Sequence, residues 1–291
     1  MSTTNPIRII PRLDIKGPNL IKSIHLEGLR VLGKPEFFAT KYCEQGADEI
    51  IYIDSVASLY GRNNLHEIVS RTASNISIPL TVGGGIRSLD DAYHLLRSGA
   101  DKVAINTSLF EKPGLISEVA KRFGSQCVVV YIEAKKVDNR YRCMHTYGRD
   151  ITSREPLEWA KEAVDRGAGE ILLTSVDQEG TGNGYDLELI HMLASSLPVP
   201  VIASGGAGRL EHLLDAATTG MADAISLASM LHYDRLQNVV DSENYASEGN
   251  TSYIALQRGK STEFLKQKIR PTSILDIKHF LLANNIQTRL I

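Results

Sequence analysis

Eight short apolar segments alternate with longer amphipathic ones along almost the whole chain, and this alternation restricts the possible folds more than any other feature. The apolar segments are IRIIPRL, ADEIIYID, PLTVGG, KVAIN, CVVVYIE, EILLTS, PVIASGG and AISLAS. Between them lie periodic segments such as LDDAYHLLRSG and LEWAKEAVDRG, which end in a glycine of the kind that caps helices. Alternating strands and helices build a parallel sheet. Eight such units predict an α/β protein with a (β/α)8 TIM barrel.

An internal repeat divides the predicted barrel into two halves. GADEIIYID begins at Gly46 and GAGEILLTS at Gly167, while TVGGGIRSLDDA and IASGGAGRLEHL contain the corresponding glycines Gly84 and Gly205. Both offsets are 121 residues (167 − 46 and 205 − 84), which is too long for a solenoid repeat. We therefore predict one domain over residues 1–291. It comprises half-barrels at about 7–122 and 123–233, a long insertion after strand 8 at about 234–270, and a closing helix at 271–291.

Charge and cysteine usage exclude several classes of function. The 291 residues carry a formal net charge of −2, so no basic field favours nucleic acid or an anionic membrane surface. The three cysteines show no CxxC spacing, and no apolar run is long enough to span a bilayer. His25 and His232 have no second ligand at metal spacing. We expect a cytoplasmic protein with no metal, no cofactor, no nucleic-acid partner and no membrane contact.

Two glycine-rich turns, Gly83–Gly85 and Ser204–Gly206, occupy equivalent positions in the two halves. Each ends a strand and precedes a helix, so its backbone N–H groups and the helix N-terminus favour a bound phosphate. One strand later each half has a small polar strand end, Asn106-Thr107 in the first and Ala228-Ser229 in the second. The repeat therefore predicts two phosphate cradles and a substrate that carries two phosphates.

Acidic side chains end the first and fifth strands of the predicted barrel. Asp14 and Glu133 are expected at the same rim, where they form a potential general acid–base pair. No P-loop, GxGxxG or Ser-His-Asp pattern offers another chemistry. A structural role suits Asp54 and Asp101 equally well, because strand-end acids often accept backbone hydrogen bonds. The other polar residues expected at this rim are Lys22, Asp54, Asp101, Thr174 and Glu179.

Seven blocks in order carry a resemblance to a known family. They are IIPRLDIKG, ADEIIYIDSVAS, PLTVGGGIRS, GADKVAIN, FGSQCVVV, GAGEILLTSVDQEGTGNGYDLELI and VPVIASGGAG. From about Ile7 to Tyr233 the chain resembles the cyclase subunit of imidazole glycerol phosphate synthase, and the closing helix matches again. The resemblance implies a glutaminase partner that makes ammonia at the N-terminal face of the barrel. It also implies that ammonia attacks a bisphosphorylated ribulosyl formimino carboxamide ribotide, giving imidazole glycerol phosphate and aminoimidazole carboxamide ribotide in histidine biosynthesis.

The resemblance also implies roles for individual residues. The catalytic acid of the first strand falls on Asp14 and the loop lysine on Lys22. The family's ammonia gate falls on four charged residues at the starts of strands one, two, four and six. Charges at this face of a barrel usually serve stability, but four alternating charges that point at one axis favour a gate that faces a partner. The implied phosphate contacts are Gly84, Gly85, Asn106, Thr107, Gly180, Gly205, Gly206, Ala228 and Ser229. The implied gate residues are Arg8, Glu49, Lys102 and Glu170.

Four residues depart from the family pattern. Glu133 and Glu179 stand where the family has Asp, and Arg12 and Tyr131 stand where it usually has small side chains. An extra methylene displaces a carboxyl group, and a misplacement of about 1 Å costs on the order of a hundredfold in rate. We predict that Arg12 contacts an acid inside the barrel, Glu133 first and Asp14 second. We also predict that this pairing lowers the pKa of Glu133 and that Tyr131 narrows the axial passage.

Three hypotheses about function follow from these patterns. The chain is the cyclase itself, with Asp14 and Glu133 as acid and base. Alternatively, it is a glutaminase-coupled paralogue that passes ammonia to another acceptor, such as a surface-polysaccharide sugar, or a noncatalytic subunit that activates a glutaminase. Asp14 and both cradles favour the first hypothesis, whereas the long insertion and four replacements favour the others: Arg12, Tyr131, Glu133 and Glu179.

Overall fold

Eight parallel strands close into a barrel in the computed structural model, which describes residues 5–57, 65–238 and 268–290. The barrel strands are β1, β4, β5, β6, β7, β10, β11 and β12, and pairing of β7 with β10 closes the ring. The strands in chain order are β1 (Arg8–Lys16), β2 (Asn19–Ile24), β3 (Glu27–Gly33), β4 (Ile50–Asp54), β5 (Leu80–Gly83), β6 (Lys102–Ile105), β7 (Val128–Val137), β8 (Arg140–His145), β9 (Asp150–Ile151), β10 (Glu170–Ser175), β11 (Val201–Ser204) and β12 (Ala224–Leu227). The predicted (β/α)8 barrel is confirmed.

Helices surround the barrel, and several begin at residues that satisfy their free N–H groups. Ser88 and Asp91 form a reciprocal capping box, and Ser273 accepts a hydrogen bond from the Asp276 N–H. The helices with described bounds are α1 (Pro35–Glu44), α2 (His66–Ala73), α3 (Leu89–Arg97), α4 (Ser108–Glu111), α5 (Gly114–Phe123), α6 (Pro156–Asp165), α7 (Leu187–Ala194), α8 (Leu210–Thr218), α9 (Ser229–Asn238) and α10 (Ile274–Ala283), with a 3-10 turn at Ser125–Cys127.

Two antiparallel hairpins extend the barrel at its C-terminal rim, and the sequence patterns did not predict them. Strands β1 and β7 continue past the rim and pair with β2 and β8, which pair in turn with β3 and β9. The turn after β7 consists of Asp138 and Asn139, both with positive φ (47° and 59°). Two residues of this conformation are typical of a type I′ hairpin turn.

The predicted C-terminal boundaries change in the structure. Helix α9 continues through Asn238, so the chain stays helical past residue 234, where the insertion was expected to begin. The rest of that expected insertion, residues 239–267, lies outside the described ranges. The closing helix is α10, which ends at Ala283, before the predicted end at 291.

Apolar side chains form two buried clusters on either side of the barrel wall. The larger one lies between the strands and the surrounding helices and includes Leu13, Val130 and Trp159. The smaller one lies inside the barrel, because alternate residues of each strand face the axis. Its members include Ile10, Val129, Leu172 and Ile202, with Leu26, Met144, Tyr147 and Val176 from the segments that cover the rim. The barrel interior is therefore filled with side chains.

Candidate active site

Arg12 lies inside the barrel and connects β1 to the strands of the second half. Its Nε donates to Asp14 Oδ1 at 2.9 Å, and its Nη1 donates to the hydroxyls of Thr174 (2.8 Å) and Ser204 (3.3 Å). Its Nη2 donates to the Tyr131 hydroxyl at 3.0 Å, and the guanidinium lies 5.2 Å from the centre of the Tyr131 ring. Arg12 and Asp14 are each only 2% exposed. The central cation of the site is therefore fully engaged by side chains of the barrel.

The predicted order of the Arg12 partners was wrong. The carboxylate in direct contact is Asp14, and Glu133 is reached only through the Tyr131 hydroxyl, which donates to Glu133 Oε1 at 2.8 Å. The physical reason is spacing along a strand. Residues i and i+2 share a face, so Arg12 finds Asp14, and Tyr131 finds Glu133, on its own strand.

Glu133 is buried among neutral hydrogen-bond donors. Besides Tyr131, the Asn106 side-chain amide (3.1 Å) and the Gly148 backbone N–H (2.8 Å) both donate to Glu133 Oε2. Burial raises the pKa of Glu133 to about 7, although these donors and the Arg12 charge act in the opposite direction. The prediction of a lowered pKa was therefore wrong. Desolvation outweighs the hydrogen bonds because Arg12 does not touch the carboxylate.

Glu179 has the opposite electrostatic character. It lies after β10 and forms an ion pair with Lys22 of hairpin strand β2 at 2.8 Å, with the two side chains only 7% and 5% exposed. Burial acts to raise the pKa of Glu179, but the charges of Lys22 and Arg12 outweigh it and lower the pKa. Gly180 permits this approach of loop and hairpin, because a Cβ atom there would lie 2.7 Å from the Ser23 carbonyl oxygen. Glu179 is thus held as a carboxylate.

The first predicted cradle borders a cavity of about 340 Å³ that Glu133 also lines. Gly84 and Gly85 adopt positive φ (102° and 73°), and a Cβ at Gly84 would lie 2.6 Å from the Asp54 carbonyl oxygen. Asn106 and Thr107 line the same cavity, so the structure brings these four predicted residues together with Glu133. The lining also includes residues that the sequence analysis did not identify: Arg87, Ser108, Lys112 and Tyr147.

Tyr147 and Gly148 reach this site through the hairpin after β7. Tyr147 is 7% exposed, and Gly148 supplies the N–H that bonds Glu133. Thr146, just before them, donates its backbone N–H to the Thr107 hydroxyl at 3.1 Å. No periodicity in the sequence marks this segment. Its place over the rim depends on the hairpin, which was itself not predicted.

The second predicted cradle is formed by the turn after β11. Gly205 and Gly206 have positive φ (93° and 109°), and the Gly184 N–H donates to the Gly206 carbonyl at 2.8 Å. Ser229 begins α9 directly after Ala228, so both lie at a helix N-terminus beside this turn. The equivalent glycines of the two halves therefore all have positive φ.

Asp101 does not lie at the catalytic rim, so its placement there was wrong. It precedes β6, at the opposite end of the barrel, and its Oδ2 accepts the Leu80 N–H at 2.8 Å. Asp48 and Asp223 hold the strand starts at Ile9 and Val201 in the same way. Asp54 is at the rim but accepts the N–H groups of residues 56 and 57, each at 3.0 Å. Both acids have the structural role that the sequence allowed.

Four charges close the floor of the barrel, at the N-terminal ends of the strands. Arg8 contacts Glu49 (3.0 Å) and Glu170 (2.8 Å), and Lys102 contacts Glu49 (2.9 Å) and Glu170 (2.8 Å). Each cation thus bridges both acids, and we call this arrangement the floor ring. Thr81 donates a further hydrogen bond to Glu49 at 2.5 Å. The four predicted gate residues do come together.

The histidines singled out in the sequence have protein partners. His232 Nδ1 lies 2.6 Å from the Tyr42 hydroxyl, and His25 Nδ1 lies 3.0 Å from the Val176 carbonyl oxygen. Over residues 5–57, 65–238 and 268–290, no three His, Cys, Asp or Glu side chains form a group that could hold a metal ion. Over the same ranges, no helix combines the length and the apolar character that crossing a membrane requires.

The fold and the arrangement of charges define a (β/α)8-barrel enzyme with ionisable groups at its C-terminal rim. The family model of the histidine biosynthesis proteins matches residues 8–237. The chain belongs to this family. The resemblance to the histidine biosynthesis family seen in the sequence motifs is thereby confirmed.

Curated relatives narrow this assignment within the family. The imidazole glycerol phosphate synthase subunit HisF of Legionella pneumophila is 62% identical over 207 residues, covering 71% of this chain and 98% of that protein. The subunit of the same name from Prochlorococcus marinus strain MIT 9211 is 50% identical over 229 residues, covering 78% and 89%. The one from Pyrobaculum aerophilum is 47% identical over 244 residues, covering 83% and 96%. The chain is therefore similar to cyclase subunits over nearly their whole length.

Proposed function

We propose that this chain uses Asp14 and Glu133 as the acid–base pair of the ammonia-dependent cyclisation that the family resemblance implies. The observation that carries the proposal is the pair itself. Two buried carboxylates, which lie where β1 and β7 leave the barrel, are joined through Arg12 and Tyr131, and Glu133 opens onto the cavity of the first cradle. A reaction that moves several protons without a cofactor requires such groups at the site.

The substrate in this proposal is the bisphosphorylated ribulosyl formimino carboxamide ribotide. One phosphate binds at Gly84, Gly85, Asn106 and Thr107, and the other at Gly205, Gly206, Ala228 and Ser229. Backbone N–H groups in glycine turns and the N-terminus of α9 favour these anions. Lys22, which pairs with Glu179 above the rim, contributes a positive charge to the proposed substrate site. Thr174 and Gly180 line the same site in this proposal.

The partner in this proposal is a glutaminase subunit that docks on the floor of the barrel. The floor ring of Arg8, Glu49, Lys102 and Glu170 is then the gate through which ammonia enters. The two half-barrels at about 7–122 and 123–233, and a cytoplasmic location, belong to the same proposal. The matching φ angles of Gly84 and Gly205 support the half-barrel division.

The first test is Asp14→Asn, assayed with the bisphosphorylated substrate and excess ammonium salt at high pH, without a partner subunit. We expect turnover to fall by about 100-fold or more, because general acid–base groups contribute on that scale. Substrate binding should stay within a few-fold, since the phosphate cradles supply most of the affinity. Steady-state kinetics measure the turnover, and isothermal titration calorimetry measures the affinity for the substrate. Turnover comparable to that of the unmodified chain would remove Asp14 from the chemistry.

A second candidate function rests on one observation, the Arg12 side chain. Its guanidinium bonds four side chains inside the barrel and pairs directly with Asp14, the acid that the family reaction requires. A pocket rebuilt in this way suits a glutaminase-coupled paralogue that delivers ammonia to a different acceptor. The ammonium assay on the unmodified chain separates the two candidates. Turnover of the bisphosphorylated substrate supports the cyclase, whereas binding without turnover supports the paralogue.

A further inference from the structure

The Arg12 side chain closes more than half of the barrel cross-section below the rim. It starts on β1, and its guanidinium donates to Thr174 on β10, Ser204 on β11 and Tyr131 on β7. Strand β12 lies between β1 and β11, so the guanidinium crosses in front of β12 as well. These hydrogen bonds therefore span five neighbouring strands, and the three remaining strands of the barrel are β4, β5 and β6.

Two acids hold the guanidinium of Arg12 in this position. Asp14 contacts it directly at 2.9 Å, and the charge of Glu179 acts on it from the loop after β10. The Tyr131 ring lies 5.2 Å from the guanidinium and fills the centre of the cross-section from the other side. The closed part of the barrel is therefore held by ion pairing, hydrogen bonds and ring contact together.

Strand β6 faces the open part of the cross-section with little side-chain volume. Lys102, Ala104 and Asn106 lie two residues apart, so all three face the interior. Lys102 belongs to the floor ring, and Asn106 donates to Glu133 at 3.1 Å. Ala104 lies between them, and its register neighbour on β5 is Gly83. Along this strand a single methyl group therefore separates the floor ring from the residue that contacts Glu133.

The other barrel strands carry larger side chains at this depth or lie behind Arg12. Ile10 on β1, Val129 on β7 and Leu172 on β10 all belong to the interior cluster. Strand β12 has the small inward residues Ala224 and Ser226, but the Arg12 guanidinium crosses in front of this strand. The thinnest part of the apolar layer that remains uncovered is therefore at β6.

The cavity of about 340 Å³ extends down into the same part of the barrel. Ile53, Ala104 and Tyr131 belong to both its lining and the interior cluster, and Glu133 lines it as well. A Cβ atom at Gly83 would lie 2.9 Å from Ile53 Cδ1, so this methyl group occupies the space beside Gly83 and must rotate for a molecule to pass. A neutral molecule crosses such an apolar stretch far more readily than a cation, because burial of an unpaired charge is strongly unfavourable.

We propose that ammonia passes from the floor ring to Glu133 along the inward face of β6, past Ala104, instead of along the barrel axis. Arg12 and Tyr131 displace the route, because they stand where the family usually has small side chains. Ala104 sets the width of the route, and the apolar side chains around it exclude ammonium. This inference deepens the proposed function and rests on it.

The first experiment probes the route without turnover and uses xenon, which binds apolar cavities. The chain is labelled with ¹³C-methyl alanine, and the signals of Ala104 and Ala224 are assigned by their loss in Ala104→Val and Ala224→Val. The Ala104 signal should shift with xenon pressure, whereas the Ala224 signal should stay constant, because Arg12 covers that side. No shift at Ala104, or an equal shift at Ala224, would overturn the route.

The second experiment compares glutamine-driven turnover, measured with a glutaminase partner, with ammonium-driven turnover. Ala104→Val adds two methyl groups to the route, so the ratio of the two rates should fall by about tenfold, the scale of coupling between two sites. Ala224→Val is the matched control, the same change at an equally buried residue of the interior cluster, and should leave the ratio unchanged. Overpacked cores lose stability, so urea unfolding establishes that each variant is folded. Ala104→Cys, which adds a single atom, replaces Ala104→Val if that variant does not fold, and a smaller fall is expected.

The two experiments separate this inference from the proposed function. A lack of ammonium-driven turnover in the unmodified chain would refute the proposed function, and the xenon titration would then decide whether a passage exists beside Ala104. If the unmodified chain turns over, an unchanged ratio in the folded Ala104 variant overturns the route. An equal fall of the ratio in Ala224→Val also overturns it, because ammonia would then cross on the side that Arg12 covers.

Discussion

The buried ion pair between Lys22 and Glu179 shows how single residues hold the rim together. Lys22 comes from the first hairpin and Glu179 from the loop after β10, so the pair ties two segments far apart in the chain. Lys22 also donates to the Ser23 carbonyl oxygen at 2.6 Å. Removal of one partner from such a pair leaves an uncompensated buried charge. This contact therefore stabilises the rim.

We expect Lys22→Met to lower the free energy of unfolding at pH 7 by about 3 kcal/mol. The pKa of Glu179 is lower in the folded chain than its unfolded value of about 4.3, so its stabilising contribution is present above that pH. The contribution is lost as the pH falls through the folded pKa, and the difference between variant and unmodified chain should shrink there. Urea unfolding of the variant and of the unmodified chain, at pH 7 and at acidic pH, measures the loss of stability and its decrease at low pH.

The control for this prediction is Lys41→Met, which breaks an exposed pair with Glu44 on α1. Exposed pairs contribute little because water and salt screen them, so stability should hardly change. An equal loss in both variants would mean that the effect of Lys22→Met does not come from burial of the charge.

The residue pairs of the barrel interior show what sequence could and could not predict. The alternation of strands and helices predicted Asp14 and Glu133 at strand ends on the rim; the structure places both at the rim, but β1 and β7 continue past them into the hairpins. The hydrogen-bond partners of Arg12 were predicted wrongly, because the prediction paired Arg12 first with Glu133, across the barrel. The i, i+2 spacing was the available signal, since it places Asp14 beside Arg12 and Glu133 beside Tyr131 on the same strands. The raised pKa of Glu133 required the burial that only the folded chain reveals.

At the scale of elements, the two hairpins account for most of what the sequence patterns missed. They extend β1 and β7, which are equivalent strands of the two halves, and bring Lys22 and Tyr147 over the rim. Strand β8 is largely polar and partly exposed, so it lacks the apolar run that identifies a barrel strand. The two-residue Asp138-Asn139 turn was the available signal.

The closing helix α10 depends on its first residues for stability. Ser273 accepts the Asp276 N–H at 3.2 Å, which satisfies one of the free donors at the start of the helix. We expect Ser273→Ala to lower the free energy of unfolding by about 1 kcal/mol. Ser70→Ala is the matched control, because Ser70 is exposed in the middle of α2, where alanine favours helix. Thermal and urea unfolding of both variants decide whether the cap has this effect.

At the scale of the whole molecule, the barrel separates two charged ends by an apolar layer. The floor ring lies at one end and the hydrogen-bonded side chains of Arg12, Asp14, Tyr131 and Glu133 toward the other, with side chains such as Ile10, Val129 and Leu172 in the interior cluster. The eight strand–helix units predicted the closed barrel, and the repeat of 121 residues supported that prediction. It could not predict how the interior is filled, because packing between strands depends on three-dimensional register.

Lys102→Met tests whether the floor ring acts in ammonia transfer. The change removes the bridge from Lys102 to Glu49 and Glu170 and leaves Arg8 as the single cation of the ring. Glutamine-driven turnover with a glutaminase partner should fall by on the order of tenfold, because coupling between sites has that magnitude. Ammonium-driven turnover should stay nearly constant, since ammonium salt in solution supplies ammonia without the partner. The control is Asp101→Asn, which lies on the same floor but outside the ring and should leave both rates unchanged. If both rates fall in parallel in Lys102→Met, the floor ring does not act as an ammonia gate.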